Sequence, residues 1–452
     1  MFLHAFGPRY DLPISLALYL YAAAGVVVIS FVMVTIFAGD RMGDRAVQYP
    51  RRRAQWLDGI AASRGLRAVT GTIGVLALAA IIVAGLVGST NPARNPAEYL
   101  TWIYFWAGFV ILSGLVGNLW ALFNPFAAIY DALVRRPQDG APKLPAALGI
   151  WPAVFAYFCF ACLELTSGLA NRPWLVATAA LLYTAVNLIG MAVFGRDEWL
   201  SRCEAFTVLF DIIGRFSPIE SEAGQVYLRP WGTGLLRPMR AGWDRVVFVI
   251  LMLSTLAFDG IIATPLWQNL AADLVPYWQP FGQFGFFALR TFGLIDLTLL
   301  FLVVFVSFMR LVMYFGTVKV DAMATMTAFA LTLVPIALVY NAAHNYSYLL
   351  VQSQALIPLL ADPLGKGWNL LPTAGYQPNF ALAGAATVWY MQVILIVLGH
   401  VIAVYLAHLR AGERFRNAKN VLLSQYPMLL LMVLYTMTSL WILAQPITRE
   451  TG

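Results

Sequence analysis

LPISLALYLYAAAGVVVISFVMVTIFAG, residues 12–39, carries no charged side chain and is long enough, at 1.5 Å per helical residue, to cross about 30 Å of hydrocarbon. Arg41, Arg45, Arg51, Arg52 and Arg53 follow it closely, the arrangement of a helix whose end is held on the cytoplasmic side. The same pattern recurs along the chain, with further apolar runs at 68–89, 99–123, 147–170, 174–194, 246–266, 286–315, 323–343, 385–407 and 428–444. Of the 452 residues, 60% are hydrophobic and only 11% are charged, and the mean hydropathy is +0.73. A soluble globule carries roughly a quarter charged residues, so that class is excluded. The net charge of +7 lies in the connections between runs and forms no continuous basic face, so nucleic acid is not an expected partner; the lipid bilayer is.

Loop charge gives a second, independent reading. The connection after 12–39 also holds Arg64 and Arg67, and the one after 174–194 holds Arg196, Arg202, Arg215, Arg229, Arg237, Arg240 and Arg245. Those after 99–123, 286–315 and 385–407 add Arg135, Arg136, Lys143, Lys319, Arg410, Arg414, Arg416 and Lys419, while the intervening ones offer Arg94, Arg172 and Lys366. Every second connection is basic, which predicts an all-α, polytopic transmembrane helix bundle of about ten spans with both termini extracytoplasmic. The first residues lack a basic stretch and a small-residue cleavage site, so the first span is expected to be retained. Residues 1–452 read as a single integral membrane domain. Ten spans permit two inverted five-helix halves, although the halves share no sequence similarity.

Two connections are longer than a linker needs. The cytoplasmic one, 195–245, contains EAFTVLFDIIGRFSP (204–218), whose pattern predicts an amphipathic helix lying on the membrane surface. The extracytoplasmic one, 344–383, contains an apolar segment, 348–360, too short to span and expected to form a short re-entrant or cap helix.

Ionisable groups within apolar spans are costly and are functional candidates by default. Glu164, Asp259, Arg290, Asp296 and His344 all fall in the extracytoplasmic halves of their runs, which predicts one outward-facing polar cavity. The alternative is that Arg290 pairs with one carboxylate as a structural tie between helices. Gly260 and Pro265 follow Asp259 and are expected to break its helix and free backbone carbonyls. The segment YNAAHNYSYLLVQSQ (340–354) places Tyr340, His344 and Tyr348 at four-residue spacing on one helical face, with Asn341, Asn345, Tyr346 and Gln352 beside them. His344 reads as a general base or metal ligand, or else as one member of an interfacial belt of Tyr and Asn.

A divalent metal held by Glu164, Asp259, Asp296, His344 and His4 is chemically reasonable, though no fixed ligand spacing marks it. His400 and His408 lie about 12 Å apart along one helix without a histidine partner at either depth, which argues against a bis-histidine haem. The absence of a phosphate loop or dinucleotide fingerprint argues against nucleotide chemistry. Cys159 and Cys162, as CFAC within an apolar run, read as packing residues.

Four strings, HAFGPRYDLPI (4–14), GNLWALFNPF (117–126), FDG (258–260) and AHNYSYLLVQ (343–352), resemble a family of bacterial integral membrane proteins named fenitrothion hydrolase. The resemblance runs along most of the chain. It implies a location in the bacterial inner membrane and hydrolysis of a small lipophilic organophosphorus ester, with water attacking phosphorus outside the membrane. It brings no set of catalytic residues. On the residues themselves, Asp259 and His344 are the candidates for base or ligand, with Glu164 and Asp296 as further acids. Arg290 is placed to stabilise developing charge, and Tyr340, Asn341, Asn345, Tyr346 and Gln352 to contact substrate. Two other readings remain open: a proton- or cation-coupled secondary transporter with Asp259 as the coupling acid, and a membrane subunit of a larger redox complex that docks a membrane or periplasmic protein.

Overall fold

A chain removed from water must satisfy its backbone internally, and these apolar runs do so as helices in the computed structural model of the protein. The structure describes residues 10–38, 50–134, 140–222, 224–317, 320–415, 418–445 and 448–449. His4, Arg41, Arg45, Arg135, Arg136, Lys319 and Arg416 lie outside these residues. In chain order the helices that matter are α1 (Leu16–Ala38), α2 (Arg64–Val87), α3 (Pro96–Leu115), α4 (Ala146–Thr166), α5 (Pro173–Phe194) and α6 (Ala205–Gly214). They continue as α7 (Trp243–Ile261), α8 (Pro265–Asp273), α9 (Gly282–Gly316), α10 (Ala322–His344), α11 (Ala385–Arg414) and α12 (Ala418–Ala444). Among the described residues nine helices are long and apolar enough to cross a membrane, or ten if α7 and α8 count as one broken span. The protein is therefore of the multipass helical membrane class.

Local sequence sets the helix ends. Ser63 caps α2 by accepting the Leu66 N–H at 3.1 Å, and Asn124 caps the helix Pro125–Leu133 by accepting the N–H groups of Phe126 and Ala127. α3 winds as a π-helix over Tyr99–Phe109, and α4 does so over Cys162–Thr166.

Where one domain was expected, the chain divides into two compact units. One unit comprises residues 51–230 and 347–383 and contains α2 to α6. Its strands β2 (Arg52–Arg53), β3 (Ile219–Glu222) and β4 (Gln225–Leu228) form an antiparallel sheet in the order β2-β4-β3, with Arg52 opposite Leu228 and Ile219 opposite Leu228 on the other side. The sheet joins the connections after α1 and after α5, the two that loop charge assigns to the same side.

Within this unit α6 departs from expectation. It is shorter than 204–218, and eight of its ten side chains are buried, so it belongs to the core and does not lie on a surface. The reason is Glu204, which the pattern places on the polar face. Its carboxylate turns inward instead and accepts from the N–H groups of Phe206 and Thr207, capping the helix. Residues 347–383 also belong here, with short helices Tyr346–Val351 and Leu356–Leu359; Leu359 packs against Tyr99 and Ile103 of α3.

The second unit comprises α1 and α7 to α12. α1 packs on α11 and α12, so the division does not fall between the first five and last five spans. Strands β1 (Tyr10–Asp11) and β5 (Thr448–Arg449) pair in parallel, which brings the two ends of the described chain together. α10 is 83% buried over its apolar window, where the other eight long apolar helices reach at most 50%.

Candidate functional site

The site begins at a proline. Pro265 has no N–H to donate and excludes helical geometry from Thr264, whose ψ is 152°. α7 therefore stops at Ile261, and α8 starts afresh with Thr264 as its cap, the Thr264 hydroxyl accepting the Trp267 N–H at 3.3 Å. The two helices meet at 83°. This is the break expected from Gly260 and Pro265, and Asp259 sits immediately before it.

The partner of Asp259 comes from the end of α10. His344 Nε2 lies 2.8 Å from Asp259 Oδ2, with the His344 side chain 7% exposed and that of Asp259 31% exposed. The Tyr340 ring, one turn earlier, runs parallel to the imidazole at 6.0 Å between centroids. Asn345 closes the helix by donating to Asn341 Oδ1 at 2.8 Å and to the Asn341 carbonyl. Gln392 of α11 donates to the Ala343 carbonyl at 3.1 Å and so fixes the turn that carries His344. Asn341 and Asn345 thus shape the helix end, and their amides are engaged with each other.

Beside Tyr340 lies a cavity of about 30 Å³, room for a water molecule, which neither Asp259 nor His344 lines. Leu253, Leu256 and Ile336 give it apolar walls, and Tyr340, Tyr435, Thr438 and Ser439 supply hydroxyls. The phenol oxygens of Tyr340 and Tyr435 are buried and have no hydrogen-bond partner among the described residues. Tyr435, Thr438, Ser439 and Gln392 escaped the sequence reading because single hydroxyls and amides in apolar runs are ordinary in membrane helices. Only charge made Asp259 conspicuous.

The remaining expected site residues lie on other elements. Asp296 is exposed on α9, on a stripe with Phe292, Leu299, Leu300 and Val303, so it faces out of the bundle and not into a cavity. The four-residue rise that places it beside Phe292 and Leu300 decides this. Glu164 is half-buried in the π-wound turn of α4, and Gln352 follows in the short turn Gln352–Ala355; both belong to the other unit. Arg290 is half-buried on α9 with its guanidinium 4.3 Å over the Phe286 ring, a cation–π contact. Tyr346 is half-exposed at the start of the next short helix.

Among the described residues no three His, Cys, Asp or Glu side chains converge, so Glu164, Asp259, Asp296 and His344 form no three-ligand set, Asp259 and His344 offer two donors, and His4, the fifth candidate, lies outside those residues. His400 and His408 are buried and hydrogen-bonded, Nδ1 of the first to the Ile396 carbonyl at 2.8 Å and of the second to Gln425 Oε1 at 2.6 Å. Cys162 is buried, whereas Cys159 faces outward.

Fold and site together define a multipass helical protein with a carboxylate–imidazole pair beside a broken span. Comparison with known protein families, with characterised proteins and with solved structures finds no match.

Proposed function

We propose that Asp259 and His344 form a proton-exchange site of a proton-coupled secondary transporter. The carrying observation is the 2.8 Å contact between a partly exposed carboxylate and a buried imidazole at the break of a membrane helix. Ionisable groups at such breaks mark ion pathways, because the surrounding low dielectric makes gain or loss of one proton a large electrostatic event. Imidazole carries two ring nitrogens, one able to accept a proton while the other donates, so it is suited to pass a proton to and from Asp259. Tyr340, whose ring runs parallel to the His344 imidazole, also lines the water-sized cavity, and its phenol oxygen has no hydrogen-bond partner among the described residues.

The test is a pH jump applied to protein reconstituted on a solid-supported membrane. Wild type is expected to give a charge displacement that Asp259→Asn and His344→Ala both lose while remaining monodisperse in detergent. Currents equal in wild type and both folded variants refute the proposal.

A second reading rests on the same contact. A carboxylate that orients an imidazole is also the arrangement of a general base, and the resemblance to the fenitrothion hydrolase family supplies a substrate class. In that case a neutral phosphotriester approaches on the exposed side of Asp259, and His344 takes a proton from the attacking water. Turnover of such an ester in detergent, with no gradient and lost in His344→Ala, supports hydrolysis over transport.

A further inference from the structure

Among the described residues of the unit formed by 51–230 and 347–383, three carboxylates are buried: Glu98, Glu204 and Glu220, at 4, 0 and 6% exposure. Burial of a carboxylate is tolerated when hydrogen bonds or an opposite charge replace its water. Two of the three meet that condition. Glu204 receives Trp120 Nε1–H at 3.0 Å, the Tyr183 hydroxyl at 2.7 Å, the N–H groups of Phe206 and Thr207, and the Thr207 hydroxyl. Glu220 faces Arg229 at 2.9 Å, with Arg51 at 3.8 Å.

Glu98 does not. Its Oε2 accepts from Trp102 Nε1 at 3.1 Å, and that single N–H is shared with the Ala170 carbonyl at the same distance. Its Oε1 is buried and has no hydrogen-bond partner among the described residues, and no ion pair is formed by Glu98 there. Asn95, the nearest amide in sequence, is already committed: Nδ2 donates to the Ala84 and Ser89 carbonyls, and Oδ1 accepts the Ala97 N–H. The Thr101 hydroxyl, three residues on, is also buried and has no hydrogen-bond partner among the described residues. Glu98 also stands at the start of the π-wound stretch Tyr99–Phe109, a winding that is rare in ordinary helices and frequent at functional sites.

We propose that Glu98 is a second ion-binding site, holding one monovalent cation, a proton or an alkali ion, through Oε1. A proton converts the carboxylate to a neutral carboxylic acid. An alkali ion neutralises it by contact and takes the Thr101 hydroxyl as a further oxygen. Either occupant supplies the single positive charge that Arg229 supplies to Glu220. The site lies in the unit without the Asp259–His344 pair and does not depend on what that pair does.

A hydrophobic carbodiimide tests this on the wild-type chain in detergent, with no variant required to fold. A protonated carboxyl gives its proton to a carbodiimide nitrogen, its oxygen adds to the central carbon, and rearrangement leaves a stable N-acylurea that peptide mass spectrometry locates. At mildly acidic pH the adduct is expected on Glu98 and absent from Glu204, whose oxygens are fully bonded. Loss of Glu98 labelling in sodium chloride but not in choline chloride identifies an alkali ion as occupant; equal labelling in both identifies the proton. The proposal is overturned if Glu98 stays unmodified in the folded protein but reacts after unfolding in detergent, or if Glu98 and Glu204 label alike.

Discussion

Gly260 stands where the broken span meets the pair, and its replacement by alanine tests that geometry. A methyl group there would lie 2.6 Å from the Tyr340 hydroxyl and closer still to Ile442 Cγ2. Both neighbours are buried, Tyr340 at 4% and Ile442 at 2% exposure, and the space beside them is the cavity of about 30 Å³ that they line, so any retreat is confined to it. The phenol oxygen must shift by roughly 1 Å to regain ordinary van der Waals separation, and overpacking of this kind costs about 1–3 kcal/mol. Because the Tyr340 ring is stacked on His344, the displacement is passed to the imidazole and loosens its contact with Asp259. Gly260→Ala is therefore expected to lower the thermal midpoint in detergent and to diminish the pH-jump current.

Tyr340→Phe removes one of the two clashing atoms. The double variant Gly260→Ala with Tyr340→Phe should thus be more stable than the sum of the single changes, with a coupling of about 0.5–3 kcal/mol in a double-mutant cycle. Part of the loss should persist, because Ile442 is still in the way. A Gly260→Ala protein as stable as wild type, or a cycle with no coupling, would refute the placement of Tyr340 against the break.

Three further outcomes follow from other parts of the molecule. Glu204→Ala should destabilise the protein by about 3–5 kcal/mol, since it leaves an indole, a phenol and two backbone N–H groups buried without an acceptor; thermal unfolding in detergent measures it, and a near-neutral result would contradict the five-donor arrangement. Cys203 is 5% exposed and burial pushes its thiol up to about 11, so at pH 8 it should resist alkylation until the chain unfolds, while outward-facing Cys159 reacts with a lipophilic maleimide and Cys159→Ser leaves function intact. Asp58 is held below its ordinary 3.8 by the Val226 N–H at 2.8 Å and by Arg53. Its contribution to stability is therefore present above 3.8 and lost as pH falls through the lowered folded value, so the stability difference between wild type and Asp58→Asn should shrink on acidification below pH 3.8.

Asp259 and His344 were legible because a charged or imidazole side chain in an apolar run is conspicuous without any structure. The same rule selected Asp296 and Glu164, which the fold sends elsewhere. Asp296 shares its helix face with Phe292, Leu299, Leu300 and Val303, and the composition of α9 does not reveal which face turns inward, since apolar residues suit both lipid and core. Glu98 was overlooked for a different reason: standing just ahead of an apolar run, it reads as an ordinary acid in a first helical turn, and only its burial and its orphaned oxygen distinguish it. α6 was mistaken for a surface helix because its amphipathic pattern is equally that of a core helix whose capping acid points inward.

By itself the sequence determined the helical class, the approximate positions of the apolar spans and the break before Pro265. Hydropathy, loop charge and the missing proline N–H act residue by residue on the adjacent backbone and solvent, so they can be read in order along the chain. Only the tertiary structure decided that α1 joins α11 and α12, that the connections around Arg52 and Tyr227 meet in one sheet, and that His344 is the partner of Asp259. Those choices depend on which faces fit together across long stretches of chain, and in a bundle of uniformly apolar helices local hydrophobicity does not distinguish a face that meets lipid from one that meets protein.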